Sequence, residues 1–425
     1  MTTALLFIVF VVLFLLNVPI AISLTLASIT ALYITGDFNL YMIAQRMFSG
    51  MNASPLMAIP GFVFAGTIMA KGGISKYLID ALRAWFGHLH GGLSIVVMLA
   101  CTIFAAISGS SPATAAAVGS IMIPAMVLGG YGKPYSMGAV AAGGTVGILI
   151  PPSITFILIG VTAEQSISKL FTAGVLPGLL LTTAFIITAI IYARIKKYGG
   201  EEKASWSKRL NTTVKAIPGI LLPVIILASV YMGVATPTEV SFVSVAYALI
   251  VGIFVYREID FQTFRAVLSE ALETTSMIFL IIAAAMTFAV YLSAEQIPTQ
   301  VVEWVTSYNI TPAMFFLFCF FLFLVLGTFL EAVSVVLITL PVLMPVIDAL
   351  GINIIHFAVF MVMMMEMAMI TPPVGLNLFV VAGTARENLG TVVKGVVPFF
   401  VAMLIVIILI ISFPRISLFL PDTQM

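Results

Sequence analysis

The chain has 425 residues, of which 62% are hydrophobic and only 8% charged, and its mean hydropathy is +1.21. A soluble globule must clothe its exterior with polar side chains, so this composition excludes one and places the chain in a bilayer as a multi-pass protein. A net charge of +1 offers nothing to nucleic acid and makes no polybasic anchor.

The first apolar window, Ala4–Leu16, lacks a basic flank and continues past Pro19 to about Ile34, so it reads as a retained membrane segment rather than a cleaved leader. A short amphipathic piece, Asp37–Met47, is too polar to span and is expected along the interface. A membrane helix follows, then a second amphipathic stretch, Ile74–Phe86. There Ile74, Leu78, Ile79 and Leu82 recur at helical spacing among Lys71, Lys76, Asp80 and Arg83. It is either a rigid arm joining a fixed part to a moving part or a solvated connecting helix.

The apolar window Leu93–Ile107 then breaks over Ser108–Pro112 and resumes as a helix of small residues through Gly119. Such backbone is tolerated at bilayer depth only inside protein or beside a wet cavity. The pattern predicts a re-entrant helical hairpin near residues 100–128. Hydroxyls of Ser108, Ser110, Ser111 and Thr114, with carbonyls freed around Gly109, are hard oxygen ligands suited to Na⁺. The helix starting near Pro112 offers N–H groups and a positive dipole end to an anion.

A second break follows in Thr145-Val-Gly147 and Pro151-Pro152-Ser153-Ile-Thr155. Tandem prolines remove two N–H donors and free the carbonyls of the preceding turn. A hairpin tip facing such a break makes an oxygen cage. After the apolar window Leu176–Tyr192, the stretch from Arg194 to Lys215 holds seven basic residues against Glu201 and Glu202. By the positive-inside rule this loop is cytoplasmic. Residues 201–216 are expected to link a first repeat (1–200) to a second (217–425).

The second half replays the first. Pro237 answers Pro19 and Gly327 answers Gly109, both at an offset of 218 residues, and Pro372 answers Pro151 at 221. Cys101 and Cys319 are also 218 apart, which marks repeat-equivalent apolar positions rather than a disulfide. Ile220–Val234 and Phe242–Val255 are apolar, Glu258–Leu268 and Ile297–Ser307 are the expected amphipathic pieces, and a second hairpin is predicted near 318–346. Its tip, Gly327-Thr328-Phe-Leu-Glu331, places a carboxylate in an apolar run, where it must be paired, protonated or cation-bound. The Pro-Pro break near 372 carries Thr371, Gly375 and Asn377, with Glu366 about one and a half turns upstream.

Halves with an odd number of crossings would be inverted and would put both termini on the far side of the membrane. The architecture expected is therefore an all-α membrane protein of two inverted repeats with re-entrant hairpins and interfacial arms. The site would lie between the repeats near mid-membrane. One cage would use Ser108, Gly109, Thr114, Thr145 and Gly147; the other, Gly327, Thr328, Glu331, Thr371 and Gly375. Ser110, Ser111, Pro112, Thr155 and Asn377 are the expected substrate contacts. Gly-x-x-x-x-Gly-Lys, His-Glu-x-x-His and nucleophile-elbow motifs do not occur, so neither ATP hydrolysis nor another enzyme activity is expected. The Met-rich run Met361–Met367 reads as packing.

Gly233-Val-Ala-Thr-Pro-Thr-Glu239, Ser108–Ser120, Gly147-Ile-Leu-Ile-Pro-Pro-Ser153 and Ile370-Thr-Pro-Pro-Val-Gly-Leu-Asn-Leu-Phe379 together resemble the large membrane subunit of tripartite ATP-independent periplasmic (TRAP) transporters over nearly the whole chain. The resemblance implies an elevator-type fold of the ion transporter superfamily in the bacterial inner membrane. It also implies Na⁺-coupled uptake of an organic acid such as a C4-dicarboxylate or a sialic acid, with no organic cofactor. Two partners come with it: a small four-helix membrane subunit and a periplasmic substrate-binding protein. Glu331 departs from the Asp that many members carry in a Gly-x-Phe-x-Asp pattern. An ion or organic-anion channel working without a binding protein is the competing reading. Channels usually ring identical subunits around a pore, whereas an inverted repeat in one chain favours alternating access.

Overall fold

The computed structural model describes residues 2–36 and 39–423. All regular elements among them are helical, as expected where lipid leaves backbone N–H and C=O groups no partners but each other. Among the described residues nine helical stretches are long and apolar enough to cross a bilayer. Large apolar side chains such as Ile8, Ile191, Phe254 and Val401 face outward, where lipid would meet them.

The first half comprises α1 (Thr2–Leu15), α2 (Ile20–Thr35), α3 (Leu40–Met51), α4 (Ala58–Lys71), α5 (Ile74–Phe86), α6 (Gly92–Ser108), α7 (Ser111–Leu128), α8 (Lys133–Gly144), α9 (Ile154–Thr162) and α10 (Ile167–Lys196). The second comprises α11 (Trp206–Tyr231), α12 (Pro237–Ile250), α13 (Phe261–Ala294), α14 (Ile297–Ser307), α15 (Pro312–Phe329), α16 (Ala332–Ala349), α17 (Ile354–Met369), α18 (Leu376–Ala385), α19 (Leu389–Ser412) and α20 (Arg415–Asp422). Pro19 and Pro237 both stand where a helix begins, the position in which a missing N–H costs nothing. The amphipathic stretches are α5 and α14, with the expected bounds. Each hairpin (α6–α7, α15–α16) precedes a helix pair interrupted at Pro-Pro (α8–α9, α17–α18).

Two expectations need correction. Residues 258–268 do not form a separate interfacial helix, because residues 261–268 are the first turns of the 34-residue α13. No Gly or Pro occurs between Phe261 and Ala294, and a helix of that length reaches roughly 50 Å, well beyond the hydrocarbon core. Its charged start can therefore project into the headgroups while the rest crosses. The first half differs because Gly50, Asn52 and Pro55 end α3 at Met51; Asp37, the start of the expected piece there, lies outside the described residues. The linker is also shorter than expected. Ser205 accepts a hydrogen bond from the Lys208 N–H at 3.3 Å and starts α11 at once, which leaves 197–205 as the non-helical connection.

The helices pack in two groups. One holds α1–α4 with α11–α13, and the other holds α6–α10 with α15–α20. α5 touches α11 in the first group and α6 in the second, while α14 joins α13 to α16. The far end of α5 is fastened to the connection between the halves. Arg83 donates to the Glu201 carboxylate, a hydrogen bond that holds its guanidinium above the usual arginine range. The Trp85 indole donates to Thr213 Oγ1 at 2.9 Å. Arg209 lies 5.3 Å and 5.4 Å from the ring centroids of Trp85 and Trp206, within cation–π range.

Candidate functional site

The first hairpin turns in two residues. α6 ends at Ser108, Gly109 takes a positive φ of 59°, and Ser110 caps α7 by accepting from the Ala113 N–H at 3.4 Å. Only glycine fits at 109, since a Cβ there would lie 2.5 Å from the Pro152 carbonyl oxygen. The tip therefore lies directly on the first Pro-Pro break. Behind it the Thr114 hydroxyl donates to the Ser110 carbonyl at 2.8 Å and shares a 3.0 Å hydrogen bond with Ser108 Oγ. At the break, α8 tightens into a short 3₁₀ turn over Thr145–Ile148 and passes through a cis Pro151-Pro152 bond. Ser153 then caps α9.

The second hairpin is built from different residues in the same relation. α15 ends at Phe329, Leu330 is extended, and Glu331 occupies the cap position of α16 without bonding the helix amides. The Gly375 N–H, just past the cis Pro372-Pro373 bond, donates to the Thr328 carbonyl at 3.3 Å. Gly375 also has a φ of 59°, and a Cβ there would lie 2.8 Å from the Thr371 oxygen and 3.0 Å from that of Met369. Both hairpin tips thus press against a Pro-Pro break crowded with backbone carbonyls.

A cavity of about 120 Å³ lies where the two helix groups meet. Ser108, Gly109, Ser110, Pro112, Thr155 and Glu331 line it from one side, together with Ile148 and Met369. Val63, Gly66, Thr67 and Ala70 of α4, with Glu270, Thr274 and Ile278 of α13, line it from the other. Two carboxylates and several hydroxyls face the space, and no Lys or Arg lines it among the described residues. Lys71 is close by, ion-paired with Glu270 at 2.5 Å, with both side chains partly exposed.

The other expected site residues lie behind this lining. Ser111, expected on the substrate, is fully buried and donates to Glu366. The first turn of α7 carries it to the protein side. Asn377 is likewise buried, with Nδ2 donating to the Ala141 carbonyl at 3.4 Å. Neither lines the cavity. Thr145, Thr328 and Thr371 donate back to carbonyls of Ala142, Val325 and Met367 at 2.6, 2.8 and 2.7 Å. Gly147 and Gly327 are contact points, where a Cβ would meet Ser111 Cα at 2.5 Å and Ala368 Cβ at 2.7 Å.

The opposite wall, α4 and α13, is absent from the sequence-derived site. A signal for it existed: Val63, Gly66, Thr67 and Ala70 fall at i, i+3, i+4 and i+7, and Glu270, Thr274 and Ile278 at i, i+4 and i+8, so each set marks one helix face.

The family described as "Tripartite ATP-independent periplasmic transporter, DctM component" matches residues 7–416. The C4-dicarboxylate TRAP transporter large permease protein DctM of Pseudomonas aeruginosa is 41% identical over 400 residues, covering 94% of each chain. The sialic acid TRAP transporter large permease protein SiaM of Vibrio cholerae is 32% identical over 406 residues, covering 96% of this chain and 95% of its own. Among solved structures, Neisseria gonorrhoeae MtrF, described as illuminating a class of antimetabolite efflux pumps, superposes with a TM-score of 0.62 at 13% identity, covering 88% of this chain and 83% of its own. At that identity the likeness concerns the fold alone.

Proposed function

Because the chain belongs to the DctM component family of tripartite ATP-independent periplasmic transporters, we propose that it is the large membrane subunit of a Na⁺-coupled importer of a carboxylated small molecule. The observation that carries this reading is the cavity lined by Glu331 and Glu270 and by no basic side chain. Glu270 is offset by its ion pair with Lys71, but an organic anion entering such a space still meets the Glu331 carboxylate, and repulsion at close range in a low dielectric is costly. Cations bound first at the hairpin tips would reverse the local sign, and the hydroxyl and carbonyl oxygens there are the ligand type Na⁺ takes. Substrate and ion would then stabilise the loaded state together, as coupling requires.

The substrate class we favour is a C4-dicarboxylate, after the Pseudomonas aeruginosa relative, with a sialic acid second, after the Vibrio cholerae one. The partners are a small four-helix membrane subunit and a periplasmic binding protein, and the compartment is the bacterial inner membrane. Movement would carry the hairpin group, α6–α10 with α15–α20, past the group of α1–α4 with α11–α13, with α5 and α14 as arms. The two-sided cavity and the bridging of both groups by α5 and α14 support this elevator reading.

The test is uptake of labelled C4-dicarboxylate and sialic acid into proteoliposomes holding the chain and its small partner, with binding protein outside and an inward Na⁺ gradient. Uptake that needs both gradient and binding protein is the expected result. Flux that persists without either replaces the importer with a channel or facilitator.

A further inference from the structure

Among the described residues, Glu366 is the only acidic side chain fully shut away from solvent. It stands on α17, in the second half, but its partners belong to the first. Oε1 accepts hydrogen bonds from the Ser111 hydroxyl and from the Ile148 N–H, the latter at 3.0 Å. Ser111 is the first residue of α7 at the hairpin tip. Ile148 closes the 3₁₀ turn that leads into the first Pro-Pro break, and it lines the cavity. Three residues on from Glu366, Met369 lines the same cavity, and the second Pro-Pro break begins. One carboxylate therefore ties the first hairpin tip and the first break to the helix that enters the second break. Oε2 is sealed from solvent and has no protein partner, so the attachment is through one oxygen.

We propose that Glu366 is a positioning residue for the transport site. It sets the first hairpin tip against the first break and registers both to the second, so that the two oxygen cages and the cavity between them form as a unit. The inference rests on the reading of the cavity as the Na⁺-coupled site. Two hydrogen bonds converging on one buried oxygen are directional, which suits them to fixing a distance. The role depends on reach, not on charge, and this makes it separable from ion or proton carriage by the same group.

The experiment compares Glu366→Gln, which keeps an oxygen at the same reach, with Glu366→Asp, which keeps the charge but withdraws the oxygen by one methylene, and with Ser111→Ala. Thermal unfolding of each purified variant reports folding. The Na⁺ concentration giving half-maximal uptake, and KM against kcat for the organic acid, report the site. A third readout needs no coupling: maleimide labelling of Ala113→Cys, since Ala113 also lines the cavity, with Cys101 and Cys319 replaced by Ala.

Glu366→Asp is expected to raise half-saturating Na⁺ by about tenfold or more and to speed labelling at 113 similarly, as leaving buried donors without their acceptor would. Glu366→Gln should stay within about threefold of the parent on both readouts, with Ser111→Ala between the two. Glu366→Gln as damaging as Glu366→Asp, or more so, would assign the group to charge carriage and overturn the proposal. Variants that differ only in unfolding temperature, with half-saturation and labelling unchanged, would reduce it to a packing contact and overturn it equally. A parent protein whose uptake ignores Na⁺ would instead defeat the functional reading, while the labelling comparison would still decide whether Glu366 positions the tip.

Discussion

The two hairpins occupy equivalent places in the repeat and solve the same problem with different chemistry. The first spreads its polar groups: Ser108, Ser110, Ser111 and Thr114 lie within seven residues, and its outgoing helix is lined with Ala and Gly. The second concentrates them in one carboxylate, Glu331, at the cap position of α16 where the first hairpin has Ser110. A hydroxyl cap is consumed by its own helix, as Ser110 is by Ala113. Glu331 makes no such bond and faces the cavity. The two halves share the geometry of tip against Pro-Pro break, while only the second hairpin places a carboxylate at the cavity.

If that division is right, the largest effect belongs to Glu331. Removing one partner of a buried charged contact costs about 2–5 kcal/mol, so Glu331→Gln should cut Na⁺-dependent uptake by about 100-fold or more at sub-saturating Na⁺. The measurement is initial uptake rate against Na⁺ concentration in proteoliposomes. A Glu331→Gln protein with the parent's Na⁺ curve would end the claim that the halves differ in charge chemistry.

The geometry that the halves share predicts the next effect, and predicts it equally on both sides. Gly109→Ala and Gly375→Ala force a Cβ into the left-handed region, at about 1–2 kcal/mol each, and press it against a carbonyl oxygen at 2.5 Å and 2.8 Å respectively. Both variants should fold with lowered unfolding temperature and lose uptake by tenfold or so, a loss of about 1.4 kcal/mol. Damage confined to one of the pair would show that the tip and break are not used alike.

Distributed hydroxyls predict smaller single losses. Ser108→Ala removes one member of the Ser108–Thr114 pair at 3.0 Å, and a neutral hydrogen bond is worth about 0.5–1.5 kcal/mol. Half-saturating Na⁺ should rise by only about threefold, with the joint Ser108→Ala and Thr114→Ala change exceeding it. A single serine change as severe as Glu331→Gln would make the first hairpin the dominant site instead.

Much of this was legible in the sequence because breakers interrupt apolar runs only where structure permits. Gly109, Gly375 and the two Pro-Pro pairs announce the tips and breaks, and the amphipathic stretches at 74–86 and 297–307 have the bounds of α5 and α14. Less legible was orientation around a helix. Ser111 looked like its neighbours in a serine-rich run, yet one residue's rotation on α7 turns it from the cavity toward Glu366. Asn377 likewise turns its side chain into the protein, with Nδ2 on the Ala141 carbonyl. Length also escaped the reading at Glu258–Leu268, since polar residues at the start of a long helix resemble a separate surface helix until the missing breaker is noticed. The partnership of Glu366 with Ser111 spans 255 positions, and no local pattern encodes it.

The arms offer the smallest expected effect and the last comparison. α5 is fastened to the connection between the halves by Arg83–Glu201, with each side chain about one-third exposed (34% and 33%). Exposed pairs of this kind contribute about 0–1 kcal/mol after screening, so Glu201→Gln should leave uptake at parental levels and lower the unfolding temperature by a few degrees at most. The Arg209 guanidinium is different: it is buried, within cation–π range of both the Trp85 and Trp206 rings, and its Nε donates to the Ala84 carbonyl at 3.1 Å. Removing it strips packing as well as charge. Arg209→Ala should therefore cost more stability than Glu201→Gln and, on the proposed reading, slow transport without moving half-saturating Na⁺, because it loosens the contact of α5 with α11 and touches neither hairpin tip. A shift in Na⁺ affinity from Arg209→Ala would mean that the arm shapes the site itself, and the separation of arm from cage would fail.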